Sequence, residues 1–194
     1  MDIPFEVVDR AVAGDQDACR EIVERLHRPV LATTHRFLGK RFQGEAEDIA
    51  QEIFLKVFRT LDRFDKDRGV KFTTWVFTFV RNHCFDVLKK KRIPTTSLQG
   101  EDADGEEKSW ELEDGARRRP LELVESSELG EQIERALAGL TEEQRMVFVL
   151  REYEQLDLKS ISEVMDCSEG TVKSRLHRAK EALKQRLEPY LRAQ

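Results

Sequence analysis

Near its C-terminal end the chain places six basic side chains, Lys173, Arg175, Arg178, Lys180, Lys184 and Arg186, against the single acid Glu181. Four more cations, Lys89 to Arg92, run consecutively in LKKKR. Clustered lysines and arginines neutralise phosphates and release their counterions, and an arginine on an exposed helix face can grip a base edge through two hydrogen bonds. The LKKKR cluster ends a segment in which Trp75, Phe77, Phe79 and Phe85 are interleaved with Arg81, Asn82 and His83. Rings in such a setting stack on unpaired bases or wedge between them while cations hold the backbone. The competing reading of this segment is a buried helix with a snorkelling basic end. Nothing points to bond-making chemistry. His27, His35, His83 and His177 are scattered, Cys19, Cys84 and Cys167 form no C-x-x-C pair, and the chain has no glycine-rich phosphate loop or nucleophile motif. The expectation is a non-enzymatic, nucleic-acid-binding protein with no catalytic residue, no metal, no cofactor and no small-molecule substrate.

A nucleic-acid binder should not be acidic, yet the 194 residues carry a formal net charge of -5. One segment resolves the conflict. PTTSLQGEDADGEEKSWELEDGA, residues 94–116, holds eight acids and one base and nets -7, which leaves +2 for everything outside it. Threonine, serine, glycine and acids crowd there, as in a flexible charged linker, drawn here over 94–119. Trp110 and Leu112 interrupt it, as an anchor on a partner or as a touch on the neighbouring domain. With 39% hydrophobic and 37% charged residues and only 10 glycines and 5 prolines, the chain reads as all-α, two small helical domains rather than one thick core. They are placed at 1–93 and 120–194. The N-terminal MDIPFEVVDRAVAGD is acidic where a signal peptide is basic, and no apolar run is long enough to span a membrane. A cytoplasmic protein with no membrane insertion is expected.

Helices must position the charged groups. Phe5 to about Gly39 reads as two helices broken near Gly14–Asp15, with Pro29 kinking or restarting the second. In EAEDIAQEIFLKVFRTLDRF, Ile49, Ile53 and Val57 recur at helical spacing, widened by Ala50, Phe54, Phe58 and Leu61. Asp48, Gln51, Glu52, Lys56 and Arg59 fall on the other side, a face that by itself reads as solvated. After the polar loop DKDRGVKF, Thr73 or Thr74 can cap the aromatic-basic helix. In the second domain, Pro120 suits the first turn of a helix through about Ala138. Thr141 and Gln144 have the spacing of a capping box, with Met146, Val147, Val149 and Leu150 facing a core. Two short helices follow, LDLKSISEVMD and SEGTVKSRLHRAKEAL, the second with Val172, Leu176, Ala179 and Leu183 inward and Ser168 as N-cap. Two helices crossing over so tight a join make a helix-turn-helix. Thr171, Ser174, Arg175 and Arg178 then share its exposed face, flanked by Lys173, His177 and Lys180. Arg175 and Arg178 suit base edges, Lys173 and Lys180 phosphates.

Taken together, AEDIAQEIFLKVFRTLDRF with FTTWVFTFVRNHCFDVLKKKR, and LTEEQRMVFVLREYEQLDLKSISEVMDCSEGTVKSRLHRAKEAL, resemble the second and fourth conserved regions of bacterial RNA polymerase sigma factors of the extracytoplasmic-function group. The resemblance spans nearly everything outside the linker. It implies an alternative sigma factor that binds core polymerase at its clamp coiled coil and flap, directs it to promoter DNA and promotes melting, under an anti-sigma factor. It assigns Asp48, Gln51, Glu52 and Lys56 to the clamp and the Asp65–Lys71 loop to a flipped base of the minus-ten element. Lys71, Trp75, Arg81, Asn82, Lys89, Lys90 and Arg92 go to the melted minus-ten strand and its backbone. Thr171, Lys173, Ser174, Arg175, His177 and Arg178 go to the minus-thirty-five element. The acidic linker takes the place of the region that threads near the polymerase active site, as a nucleic-acid mimic or as a tether. Ser162 stands where the family usually has alanine. No zinc motif of the anti-sigma kind is present, and no regulatory extension is expected after Gln194. The competing class is a stand-alone helix-turn-helix regulator with a sensor or dimerisation module in front.

Overall fold

The structure, a computed structural model, describes residues 2–92 and 128–191, without the side chains of residues 91, 92, 128, 129 and 191. The linker expected over 94–119, with Trp110 and Leu112, and Pro120 lie outside the described residues. Among the described residues the regular structure is helical, with eight α-helices, three short 3-10 segments and no strand.

α1 (Phe5–Val12) and α2 (Gln16–Leu38) are separated where expected. Gly14 takes a left-handed φ of 89°, and the Asp15 carboxylate accepts from the amides of Asp17 (2.9 Å) and Ala18 (3.2 Å), satisfying two donors of the new helix. Pro29 lies inside α2, which continues through it to Leu38 instead of restarting. α3 (Ala46–Arg59) buries Ile49, Ala50, Ile53 and Val57, the predicted stripe. α4 (Phe72–Arg92) begins earlier than expected, so Thr73 and Thr74 are buried inside its first turn instead of capping it. Burial of the Phe72 ring, edge-on to Phe64 at 5.1 Å, accounts for the early start.

α5 (Glu128–Ala138), α6 (Glu142–Glu152), α7 (Leu158–Met165) and α8 (Glu169–Leu191) form the second unit. The capping box is present: Thr141 Oγ1 accepts from the Gln144 amide (3.3 Å) and Gln144 Oε1 accepts from the Thr141 amide (3.2 Å). Asp157 caps α7 by accepting from the Ser160 amide (2.7 Å), and Ser168 Oγ accepts from the Thr171 amide (3.1 Å) at the start of α8. The tight join of the helix-turn-helix runs through Asp166, left-handed at φ 50°. Two guanidinium groups close the C-terminal end of α5. Arg145 donates to the carbonyls of Leu137 (2.8 Å) and Ala138 (2.7 Å), and Arg186 to those of Ala136 (3.1 Å) and Gly139 (2.8 Å). Cations there complement the negative end of the helix dipole. A Cβ at Gly139 would stand 2.5 Å from the Arg186 guanidinium carbon, so glycine is what permits the approach.

The two units pack on each other, α7 against α4 and α6 against α2. Met146, Leu150, Ile161 and Val164 join one core with the side chains of α2, α3 and α4, while Leu137, Leu140, Ala179 and Leu183 make a smaller one. Polar contacts ring the junction. Arg145 Nη1 donates to the Phe37 carbonyl (2.8 Å), Thr33 Oγ1 to Glu154 (2.9 Å), and Arg36 lies 4.2 Å over the Tyr153 ring. Cys84 is buried, and burial pushes its thiol up to about 12; Cys19 and Cys167 are half-buried.

Arg145→Ala removes charge-assisted hydrogen bonds to α5 and α2 together and should lower unfolding stability by about 1.5–3 kcal/mol, read by chemical denaturation. Burial holds the Glu154 carboxyl above its ordinary range, despite the Thr33 hydroxyl and the nearby Arg36. A raised carboxyl binds its proton more tightly in the packed arrangement, so packing of the two units should tighten as pH falls through the carboxylate range and loosen above it. Glu154→Gln should remove that dependence, measured as an interdomain fluorescence-transfer distance against pH.

Candidate nucleic-acid interface

The helix-turn-helix geometry sets the exposed face of α8. With Val172 and Ala179 fully buried and Leu183 nearly so, Lys173, Ser174, His177 and Arg178 are exposed, while Thr171 and Arg175 are half-buried. Leu176, expected inward, is half-buried. Two of the hydroxyls are engaged locally: Thr171 Oγ1 lies 3.0 Å from Ser168 Oγ, and Ser174 donates to the Thr171 carbonyl at 2.9 Å. Arg175 is steadied by Cys167, whose sulfur accepts from Nη1 at 3.6 Å. Lys180, read from the sequence as a phosphate contact, pairs with Glu152 of α6 at 2.9 Å. The groups best presented to a groove are therefore Lys173, His177 and Arg178, with Arg175 held beside them.

α4 divides its aromatics between packing and surface. Phe72 and Phe77 are buried, and Phe85 stacks on Phe37 of α2 at 5.2 Å. Trp75 is half-buried in a ring cluster, 4.8 Å from Phe79, 5.4 Å from Phe64 and 5.6 Å from Phe72. Arg81 is half-buried as well, its guanidinium 5.2 Å from the Phe85 ring and its Nη1 donating to Asn82 Oδ1 at 2.6 Å. Its Nε is buried without a hydrogen-bond partner. Asn82, Lys89 and Lys90 are exposed; the Arg92 side chain lies outside the described residues. Lys71 is exposed just before α4, and its charge adds to the backbone hydrogen bond from Ser160 in holding the Asp157 carboxyl below its ordinary range. In the preceding loop, Asp65 accepts from the Asp67 amide at 3.0 Å and Lys66 pairs with Asp9 of α1 at 2.9 Å.

Asp48, Gln51, Glu52 and Lys56 all stand exposed on the outer side of α3. Leu55 stands with them, 56% exposed, an apolar side chain in the middle of a polar face. Sequence reasoning missed it. The signal was available, because position 55 falls off the Ile49–Ile53–Val57 stripe at 3.6 residues per turn. Among the described residues no group of three or more histidine, cysteine, aspartate or glutamate side chains is placed to hold a metal, and no helix is long and apolar enough to cross a membrane.

This arrangement has known counterparts. Residues 22–93 match the family model described as Sigma-70 region 2, and residues 130–183 match Sigma-70, region 4. The chain is 32% identical over 188 residues to the ECF RNA polymerase sigma-E factor of Escherichia coli strain K12, covering 96% of this chain and 95% of that one. It is 37% identical over 177 residues to the ECF RNA polymerase sigma factor SigW of Bacillus subtilis strain 168, covering 90% and 91%. Among solved structures, CnrH in complex with the cytosolic domain of CnrY is similar with a TM-score of 0.65 at 24% identity, covering 94% of this chain and 96% of that one. RpoE in complex with the anti-sigma factor NepR from Bartonella quintana gives 0.63 at 20% identity, covering 87% and 96%. Helix-turn-helix, aromatic-basic helix and polar α3 face are thus the parts of a sigma factor, a class of initiation factors that carry no enzymatic activity of their own. The chain belongs to the extracytoplasmic-function RNA polymerase sigma factors, which direct core polymerase to promoters.

Proposed function

We propose that this sigma factor reads its promoters at two points and holds polymerase at a third. The α3 face of Asp48, Gln51, Glu52 and Lys56 grips the clamp coiled coil, with Leu55 as its apolar anchor. The α6–α8 unit meets the flap. Trp75, Arg81 and Asn82 trap unstacked minus-ten bases, and Lys71, Lys89, Lys90 and Arg92 hold the adjoining backbone. On α8, Arg175 and Arg178 read base edges of the minus-thirty-five element, with Thr171, Lys173, Ser174 and His177 positioning the helix on phosphates. The observation that carries the reading is the placement of two separate basic surfaces and one polar face with an exposed leucine on a single chain. The protein supplies binding energy and strand separation, while bond formation remains with the polymerase. It acts in the cytoplasm, where its polymerase is, and an anti-sigma factor restrains it, by analogy with RpoE, which forms a complex with the anti-sigma factor NepR.

Run-off transcription with core polymerase and genomic fragments tests this directly. Added protein should give promoter-dependent initiation and co-purify with core; failure of both removes the reading. Arg175→Ala should lower initiation at its own promoter about tenfold, the loss of one base contact worth about 1–3 kcal/mol. Trp75→Ala should leave closed-complex binding in place and reduce strand opening, read by permanganate reactivity of unpaired thymines. Leu55→Lys should weaken association with core by about tenfold or more while leaving the melting temperature within a few degrees, since the side chain is exposed.

A further inference from the structure

His83 is among the few buried polar side chains of the first unit, 6% exposed, and it projects from α4 toward α3. There it meets two of the residues assigned to the polymerase. Lys56 Nζ is within hydrogen-bonding distance of His83 Nδ1, and Glu52 Oε2 stands 3.0 Å from Nε2, close but not aligned as a hydrogen bond. Glu52 and Lys56 are four residues apart on α3, successive side chains on one helix face. The imidazole therefore sits under an acid–base pair whose heads are exposed.

Only one neutral form of the ring suits both neighbours. An ammonium group can only donate, so Nδ1 must accept and Nε2 must carry the hydrogen, on the side of the ring where the Glu52 carboxylate stands. An imidazolium would turn an N–H on Nδ1 toward the Lys56 ammonium and expel it. The other charged groups near the ring are Asp86 and Lys90 on α4 itself. Burial, with Lys56 second, holds the imidazole below its ordinary range, against the opposing pull of Glu52 and Asp86, so the neutral form persists at neutral pH.

We infer that His83, on α4, is a positioning residue for polymerase binding: it holds the Lys56 head by a hydrogen bond, beside Glu52, on the neighbouring α3 face. This rests on the clamp assignment of that face. A preset pair loses less side-chain freedom on binding than a loose one, the origin of the expected affinity gain. Acid should undo it, with affinity for core falling as pH drops through the depressed imidazole range.

The test is the affinity of the full chain for core polymerase, measured from pH 5.5 to 8 for the wild type and the variants below, each first shown to unfold cooperatively. His83→Phe fills the space without an acceptor and should bind core about tenfold more weakly at pH 7.5. His83→Asn, whose side-chain oxygen can take the place of Nδ1, should bind nearly as wild type and show a flatter pH course. In a Lys56→Met background, His83→Phe should add no further loss. The inference is overturned if His83→Phe binds as wild type, if His83→Asn loses as much as His83→Phe, or if the wild type and His83→Asn share one pH course. If Glu52→Ala and Lys56→Met both bind core normally, the clamp assignment itself fails, and the inference falls with it. Imidazole nitrogen shifts of the free protein then report the Lys56 bridge independently, with an unprotonated Nδ1 expected.

Discussion

One helix packed on three sides governs this molecule. α4 carries more large rings than any single stripe can bury, and the fold answers by surrounding it with α2, α3 and α7. Phe72, Val76 and Val80 are buried in the first unit, Phe85 stacks on α2, and Trp75 and Phe79 close a ring cluster with Phe64. What is left exposed is the polar remainder of that crowding, Asn82, Lys89 and Lys90. The basic end can thus be offered to phosphates because the rest of the helix is held by apolar burial, at roughly 25 cal/mol for each square ångström removed from water.

The same crowding explains why the two units are joined. α7, the first helix of the helix-turn-helix, lies on α4, and its Ile161 and Val164 enter the core that α4 shares with α2 and α3. Charged groups at the junction are arranged to tolerate this burial. Arg145 spends its donors on backbone carbonyls from both units, and Asp157 is stabilised chiefly by the Ser160 amide, with Lys71 of the first unit contributing. Burial opposes the ionised form of Glu154 even with Thr33 donating to it, as it opposes the charge of Arg145. A group that resists burial lowers the work of separating the two units, which makes Glu154 a weak point of the junction.

Much was legible in the sequence. The break at Gly14–Asp15, the α3 stripe, the capping box of Thr141 and Gln144, and the Ser168 cap are local events, set by side chains a few residues apart and by the period of the helix. The helix-turn-helix and the resemblance to sigma regions followed from those local signals read in order. The segregation of acid into one segment was arithmetic on the sequence alone.

Contacts between distant residues decided the rest. Thr73 and Thr74 looked like caps, but Phe72 had to be buried against Phe64, so α4 starts before them. Lys180 looked available to phosphate until Glu152 of α6 came within 2.9 Å, and Arg175 is steadied by a cysteine eight residues back. His83 acquires neighbours on α3 only when the two helices pack. Periodicity says which face of a helix turns inward; what that face meets, and which charges become neighbours, depends on elements tens of residues away. The sequence by itself determined the family, the helical stripes and the local caps at Thr141 and Ser168. The tertiary structure alone decided which of the charged and aromatic side chains remain for partners, because burial and pairing are properties of the packed chain.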